Sequence, residues 1–496
     1  MGPSIPPAPI EPPFDDDLVD GVLAEPESHD LEFKRLGADK PTKTLESIVA
    51  FANSDGGIIG LGLEDPDKAT GRARVYGIDE NPMKWDELRR LIRSRITEPD
   101  LLPCQPMEVG CTLRDGSRGA VVFLRVGRSS RIHSIIDGGT YERLGKSNRQ
   151  LSATEINELS FARGTITAES QCEPVDFDLL DSPYWRGYAR QRHLSRPIDQ
   201  AMRHVGLAKP DAVGRLRPTR AAVLLFAEEP SGLLAGKAAI RVFHYQGKKI
   251  ESDPDTNLVR PPITVGGPVI QQIRDASNLV VGELASGVQM SPLGFEVIQA
   301  YPIRVLKEAI TNAVIHRDYH IAADIHIRIF ANRVEVESPG LFIGPVTSAN
   351  IHEAGTHGRN PVLVSNLREF PDPPNLDAGE GVRMMFGLMR ESGLYTPVYA
   401  SRPQIMRNAV VVTLYNEHRP STWDSINKYI DEHGTIGNAE VRQEMGTDVL
   451  TASKQIRKWI DRGLLIVTNP DAGTKVRRYG KPGFRPKLDL FSIPKR

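Results

Sequence analysis

The stretch from residue 301 to residue 319 reads YPIRVLKEAITNAVIHRDY, and it decides the architecture of the segment around it. Its apolar residues recur at helical spacing, so the stretch predicts an amphipathic helix through Ile315. Glu308 and Asn312 lie one helical turn apart and therefore share a face. The amide oxygen of Asn312 can hold a hydrated Mg²⁺, and the carboxylate of Glu308 can orient or deprotonate a water molecule aimed at a phosphate. On spacing alone, such a pair is more often two surface polar residues.

The sequence on either side of this helix predicts further helices and strands. Two strands joined by a tight turn follow it, and a long loop containing Pro, Gly and Asp precedes the next helix. Long loops in compact domains are often functional lids. The expected elements are a helical stretch over 175–205, strands at Ala221–Phe226, Ala239–Tyr245, Ile325–Phe330 and Arg333–Glu337, a loop at Phe370–Gly381 and a helix at Val382–Ser392.

Three segments together resemble a known family: residues 301–319, residues 332–340 and the sequence GEGV at residues 379–382. They are similar to the divergent GHKL-type ATPase domain of bacterial RecG-like regulators, and the resemblance covers about residues 217–397. It implies an α/β sandwich that binds ATP with Mg²⁺ and hydrolyses it weakly. It also implies roles for five residues: Glu308 as the general base, Asn312 as the Mg²⁺ ligand, and Gly340, Gly379 and Gly381 in loops that contact the nucleotide.

One segment departs from the pattern of that family. The family carries an Asp-x-Gly sequence whose aspartate reads the adenine amino group, whereas this chain has Glu337-Ser338-Pro339-Gly340 at that place. The expected adenine contact therefore lacks its usual carboxylate.

Residues 421–480 predict the order helix, helix, turn, helix and hairpin. The third helix, at about residues 451–462, is expected to bury Ile456, Trp459 and Ile460. Helix-turn-helix proteins place this helix in the major groove and gain most of their affinity from phosphate contacts. The segment therefore predicts a DNA-binding winged helix, with a winged helix that contacts only protein as the alternative. The expected DNA-binding residues are cations: Lys454, Arg457 and Lys458 on the helix, and Lys475, Arg477 and Arg478 on the hairpin.

Charge is unevenly distributed along a chain whose formal net charge is −1. Residues 451–496 hold twelve Lys or Arg residues and three acids, which favours a polyanionic partner for that end, with a solvated basic tail as the alternative. Residues 1–26 are rich in proline and acids and hold no Lys or Arg, which predicts a disordered arm because such a segment buries too little apolar surface to fold.

Acidic residues gather around a glycine-rich turn that follows this arm. Glu27, Glu32 and Lys34 precede a predicted helix and strand, and Asp65 follows that strand. Carboxylates with a lysine are what a divalent-metal nuclease needs, because the acids hold Mg²⁺ or Mn²⁺ and the lysine steadies the charge that develops on the phosphorane. On composition alone, these are ordinary surface residues.

The block over about residues 27–159 resembles the Schlafen/AlbA-like domain through the sequences ES…LEFK at residues 27–34, AFANSDGG at 50–57 and GTYERLGKS at 139–147. The resemblance implies an α+β fold in which Glu27, Glu32 and Asp65 are catalytic metal ligands beside Lys34. The partner expected for this domain is RNA or single-stranded nucleic acid.

An α/β multidomain protein is the fold class that these segments predict together. The expected divisions are a disordered arm at 1–26, a Schlafen/AlbA-like domain at 27–163, a middle segment at 164–300, a GHKL-like ATP-binding domain at 301–418 and a winged helix with a basic tail at 421–496. Three scattered cysteines and the lack of an apolar run of membrane-spanning length favour a cytoplasmic protein without membrane contact.

Two functions fit this organisation. The first is a metal-dependent endonuclease acting on RNA or single strands, gated by nucleotide and positioned by the winged helix, which would suit defence against phage. The alternative is a non-catalytic, ATP-responsive DNA-binding transcriptional regulator. The sequence leaves both a monomer and a homo-oligomer open.

Overall fold

The computed structural model describes residues 12–234, 236–251, 257–291, 294–344, 346–348, 350–353, 358–374, 379–402, 408–470, 472–473 and 476–482. The described chain divides into two compact units, one within residues 12–165 and one within residues 166–482. Both units mix helices with small sheets, so the chain has a mixed α/β multidomain fold.

The N-terminal unit is built on a four-stranded sheet with the strand order β1-β2-β4-β3. Strands β1 and β2 are parallel and the other pairs are antiparallel. The elements of this unit are α1 (Asp16–Leu23), β1 (Leu31–Lys34), α2 (Pro41–Asn53), β2 (Gly56–Leu61), α3 (Pro82–Arg95), β3 (Cys104–Thr112), β4 (Arg118–Gly127), β5 (Tyr141–Leu144), β6 (Ser147–Gln150) and α4 (Ala153–Arg163).

Both faces of this sheet are covered, because successive side chains of a strand point to opposite faces. Val122 and Leu124 of β4 belong to the core beneath α2 and α3, whereas Val121 and Phe123 belong to the core beneath α1. The buried strands therefore read as continuous apolar runs in the sequence.

The expectation of a disordered arm through residue 26 is wrong for the described residues 12–26. Asp15 caps α1, and Val19 and Val22 of that helix are buried against the sheet. Two of the acids assigned to the arm, Asp16 and Asp20, form ion pairs of 2.6 Å with Arg72. The segment orders because a partner far along the chain neutralises its charge and the sheet buries its apolar face.

The second unit contains the remaining elements. They are α5 (Pro183–Gln191), α6 (Ile198–His204), β7 (Ala208–Pro210), β8 (Leu216–Pro218), α7 (Arg220–Phe226), α8 (Pro230–Leu233), β9 (Ile240–His244), β10 (Ile263–Val265), α9 (Val269–Glu283), β11 (Ala285–Ser291), β12 (Gly294–Gln299), α10 (Ile303–Ile315), β13 (Ile325–Phe330), β14 (Arg333–Pro339), α11 (Pro361–Leu367), α12 (Gly381–Glu391), β15 (Val398–Arg402), β16 (Ala409–Tyr415), α13 (Trp423–His433), β17 (Ile436–Gly437), α14 (Asn438–Met445), α15 (Val449–Asp461), β18 (Ile466–Val467) and β19 (Arg478–Gly480).

A six-stranded sheet with the order β10-β9-β13-β14-β16-β15 organises this unit. Helix α9 packs on β9, and α10 packs on β14 and on α12. Strand β9 pairs in parallel with β13, although the two are separated by the expected division at residue 300. That division therefore runs through one sheet.

The predicted strand at Ala221–Phe226 is wrong, because these residues form helix α7. Every residue of this run is buried, so its composition carries no periodicity that separates a buried strand from a buried helix. The side chain of Thr219 accepts a hydrogen bond from the Ala222 amide and starts the helix.

Three helices and a small sheet close the chain. Helices α13, α14 and α15 surround a core that includes Ile426, Ile456 and Trp459, and β17, β19 and β18 form a three-stranded sheet beside them. Tyr395, which precedes β15, and Tyr415, the last residue of β16, belong to the same core. The order of helices and strands agrees with the sequence prediction for residues 421–480.

Candidate functional sites

A cavity of about 1200 Å³ lies beside α10 and the six-stranded sheet. All five residues that the sequence predicts to contact nucleotide line it: Glu308, Asn312, Gly340, Gly379 and Gly381. A space of this size accommodates a nucleotide. The tertiary structure thus brings together residues that three separate segments supply.

Glu308 and Asn312 face the cavity as a hydrogen-bonded pair. The Asn312 side-chain nitrogen donates to Glu308 Oε1 at 3.0 Å, so the amide oxygen of Asn312 is directed away from the carboxylate. Burial raises the pKa of Glu308, although the hydrogen bond from Asn312 opposes the rise. A carboxylate with a raised pKa is a better proton acceptor, which suits a general base.

Helix α12 begins at the wall of the cavity. Its first residues, from Gly381 to Met384, line the cavity, and Glu380 before them does not cap the helix with its side chain. The free amides of a helix N-terminus attract phosphate groups. A side chain at Gly381 would overlap the Glu308 carboxylate and would displace it from its hydrogen bond with Asn312.

Basic side chains complete the wall, and the sequence did not identify them. Arg304 lies one helical turn before Glu308 on α10, so local spacing could have found it, whereas Arg359 joins the site only through the fold. The basic lining residues are Arg304, Lys307, His316, His352, Arg359, Arg368 and Arg383. Such a set favours an anionic ligand.

Residues 337–340, where the sequence lacks the aspartate of the family, place a different side chain in the cavity. The Glu337 carboxylate accepts a hydrogen bond from Arg328 at 2.7 Å and does not line the cavity. Ser338 lines it instead, and its hydroxyl donates to the Ala313 carbonyl at 2.7 Å. Ser338 therefore presents acceptor lone pairs, which is the hydrogen-bond polarity that an adenine amino group requires. The cavity fits ATP, with Asn312 able to hold Mg²⁺ and Mg²⁺ able to supply charge neutralisation at the phosphates.

The N-terminal cluster differs from the metal site that the sequence predicts. Glu32 is buried, and its two oxygens are occupied by Lys34 at 2.5 Å, Arg143 at 2.6 Å and the Ser47 hydroxyl at 2.9 Å. Two cations beside one carboxylate are a poor environment for a metal ion. Glu32 therefore does not fit a divalent metal in this arrangement.

Glu27 and Asp65 lie near this cluster. Glu27 accepts a hydrogen bond from the Phe33 amide at 2.8 Å, and Asp65 accepts one from the Asp67 amide at 2.8 Å. Burial raises the pKa of Glu27, and the charges of Asp65 and Glu32 add to the rise. Within the described part of the chain, no three His, Cys, Asp or Glu side chains are close enough to hold a metal ion.

Arg143 is the member of this cluster that the sequence did not single out. Its side chain is 1% exposed and also donates to the Ser28 carbonyl and the Asn148 side chain. It lies within the sequence GTYERLGKS that carries the family resemblance. Its place in that motif marks Arg143 as a candidate site residue, but the sequence does not show that Glu32 is its ion-pair partner.

The cations of the C-terminal segment fall into two groups. The first group is exposed, as predicted, and consists of Lys454, Arg457 and Lys458 of α15. Arg478 instead makes intramolecular hydrogen bonds. Its guanidinium donates to Glu440 at 2.7 Å and to the Thr435 carbonyl at 3.0 Å. Arg477 is half-buried and donates to the Ala472 carbonyl at 3.4 Å, and Lys475 lies outside the described residues.

Comparison with known proteins finds two families in this chain. Residues 27–152 match the family described as "Schlafen, AlbA_2". Residues 322–414 match the family described as "Putative ATP-dependent DNA helicase recG C-terminal". The second match begins after α10, so the assignment of Glu308 and Asn312 rests on the cavity itself. No curated protein matches the chain.

One similar solved structure is the DIP2311 protein from Corynebacterium diphtheriae. It shares 18% identity and a TM-score of 0.40, over 96% of this chain and 98% of that chain. Among the helices that the structure describes, none has the length and apolar character needed to cross a membrane. The two family matches lie in the two compact units, and the chain therefore combines a Schlafen/AlbA-like domain with an ATPase-type domain of the RecG C-terminal family.

Proposed function

We propose that this chain is an ATP-responsive nucleic-acid-binding protein in which residues 421–482 form a DNA-binding winged helix. The order α13, β17, α14, α15, β18, β19 is the order of a winged helix, with α15 as the recognition helix. The buried face of α15 is apolar and its exposed face carries Lys454, Arg457 and Lys458. The transcriptional regulator is thus the function that the geometry supports best.

Helix α12 connects the cavity to α15, and this connection carries the proposal. Its first turn lines the cavity, and Tyr395 follows soon after its last turn. The Tyr395 hydroxyl accepts a hydrogen bond of 3.2 Å from the indole nitrogen of Trp459 on α15. Arg419 donates to the carbonyls of Arg390 and Leu394 and so fixes the intervening turn. A displacement of α12 on nucleotide binding would reach the recognition helix through these contacts.

Duplex binding with and without nucleotide tests the proposal. We expect Mg²⁺-ATP to change the Kd of the full chain for a short fluorescent duplex by about fivefold or more. Asn312→Ala should remove the effect of ATP and leave the nucleotide-free Kd unchanged. The same ATP should raise the melting temperature of the wild type, because a ligand that binds only the native state stabilises it by about 2.7 kcal/mol at a hundredfold excess over its Kd. A Kd indifferent to ATP would contradict the proposal.

The DNA-binding face has its own experiment. Replacing Lys454, Arg457 and Lys458 with alanine should weaken duplex binding and lower the slope of log K against log salt by about 0.9 for each phosphate that the variant no longer neutralises. An unchanged slope would remove DNA recognition from α15.

A metal-dependent endonuclease is the second candidate, and one observation favours it. Glu27 is half-buried, and burial together with the charges of Asp65 and Glu32 raises its pKa, as expected of carboxylates that share a site. The wild type and a Glu27→Gln/Asp65→Asn variant should be compared on labelled RNA and single-stranded DNA with Mg²⁺ and with Mn²⁺. Cleavage by the wild type alone would support the nuclease. Equal cleavage by both, or by neither, would exclude these residues as its catalytic groups.

A further inference from the structure

Two large apolar side chains are exposed on the first turn of α15. Val449 is 51% exposed and Leu450 is 72% exposed, whereas Ala452, Ile456 and Trp459 of the same helix are buried in the core of the three helices. Leaving a leucine in water forgoes the stabilisation that its burial would give. A partner that covers these side chains would supply that stabilisation.

The positive charges beside Leu450 indicate what kind of partner fits this surface. Leu450, Lys454, Arg457 and Lys458 recur at helical spacing and lie on one face of α15, and all four are exposed. A surface that joins an apolar tip to three cations is complementary to a polyanion that also offers apolar groups. Duplex DNA is such a partner, because the thymine methyl group projects into the major groove between rows of phosphates.

The cap of α15 shows that its tip is not itself a phosphate site. Asp448 Oδ1 accepts hydrogen bonds from the Leu450 amide at 2.8 Å and from the Thr451 amide at 3.0 Å. Asp448 Oδ2 accepts from the Thr451 hydroxyl at 2.8 Å. These bonds satisfy amides that a phosphate would otherwise use, place a negative charge there and hold the first turn in a fixed orientation. Phosphate contacts then fall to the three cations further along the helix.

We infer that Leu450 contacts thymine methyl groups in the major groove and gives this protein a preference for thymine-containing duplex sites. The inference rests on the proposed DNA-binding function of α15. Recognition helices of this class contact base edges with their N-terminal residues, which is where both side chains lie.

Removing the methyl groups from the DNA tests the inference directly. A duplex selected from a random-sequence pool by the full-length protein is synthesised once with thymine and once with uracil, which differs only by the missing methyl. The wild type should bind the thymine duplex about fourfold more tightly for each contacted methyl, because burying one such group is worth about 0.8 kcal/mol. The variant Val449→Ala/Leu450→Ala should bind both duplexes equally.

Two controls separate this result from other causes. Val213→Ala removes an exposed apolar side chain elsewhere in the second unit, 70% exposed, and should keep the thymine preference. The slope of log K against log salt should be the same for the wild type and the double variant, because neither substitution removes a cation.

The outcomes distinguish this inference from the proposed function. Tight, salt-dependent duplex binding with equal affinity for thymine and uracil would overturn the inference and leave DNA binding by α15 standing. No binding to any duplex would overturn both and point to a protein partner for the exposed pair. Retention of the thymine preference in the double variant would also overturn the inference.

Discussion

The Glu32 carboxylate holds two cations inside the N-terminal unit, so its removal would leave Arg143 buried without a counter-ion. Breaking a buried pair by removing one partner costs about 3–5 kcal/mol. We therefore expect Glu32→Ala to lower the free energy of unfolding of this unit by about that amount, measured by hydrogen exchange of β1 and β2 in urea. Asp86→Ala is the control, because its contact with Arg89 is exposed and 3.7 Å long; it should cost less than about 1 kcal/mol. Equal losses would contradict the role of Glu32.

The burial of Glu169 predicts that the stability of the fold depends on pH. This residue is fully buried, and its carboxylate accepts hydrogen bonds at the start of α11 from the Val362 amide at 2.9 Å and the Leu363 amide at 2.6 Å. Burial raises the pKa of Glu169 from 4.5 to about 7 in spite of these bonds. Between these values the unfolded chain has released its proton while the folded chain keeps it. The stability from Glu169 is therefore full below pH 4.5 and is lost as the pH rises towards 7.

Glu169→Gln removes this titration. The free energy of unfolding of the wild type minus that of the variant should fall by roughly 3 kcal/mol between pH 4.5 and pH 7, because one pKa unit corresponds to about 1.4 kcal/mol. Urea denaturation at several pH values measures the difference. A difference that stays constant over this range would show that Glu169 titrates normally.

At the scale of elements, the contact between α12 and α10 helps to set the position of the Glu308 carboxylate in the cavity. A Cβ at Gly381 would overlap the Glu308 carboxylate, whereas a Cβ at Gly387, in the middle of α12, would meet no atom within 4 Å. Gly381→Ala should therefore displace the Glu308 carboxylate and reduce the rise in melting temperature caused by Mg²⁺-ATP. Gly387→Ala should keep that rise and stabilise the free protein by up to about 1 kcal/mol, since alanine favours helix. Equal behaviour of the two variants would exclude α12 from the nucleotide site.

At the scale of the whole molecule, the link from the cavity to α15 predicts a variant that binds both ligands without coupling them. Tyr395→Phe removes only the hydroxyl that accepts from Trp459. ATP should still raise the melting temperature and the duplex should still bind, but the effect of ATP on the duplex Kd should shrink by several fold, as removal of one hydrogen bond worth about 1 kcal/mol implies. Tyr429→Phe, in the same core, is the control and should keep the effect of ATP. If ATP changed the duplex Kd of Tyr395→Phe as much as that of the wild type, another contact would have to couple the cavity to α15.

Local spacing was sufficient for the elements that carry the nucleotide cavity. Glu308 and Asn312 share a face of α10 because any helix brings residues four apart together, and that follows from the sequence alone. The apolar face of α15 and its three exposed cations could be predicted for the same reason. Periodicity gave no such guidance for α7, where every residue from Ala221 to Phe226 is buried and only the surrounding fold chooses between helix and strand.

The sequence by itself determined the α/β class, the amphipathic helices and the residue types of the cavity, because backbone geometry and hydrophobic periodicity act over a few residues. Only the tertiary structure decided which charges meet. Arg143 reaches Glu32, which the sequence predicts as a metal ligand, from 111 positions along the chain and forms a buried ion pair with it. Arg72 likewise orders acids that composition assigned to a disordered arm. The free energy of a charge depends on its burial and its partner, and long-range packing sets both.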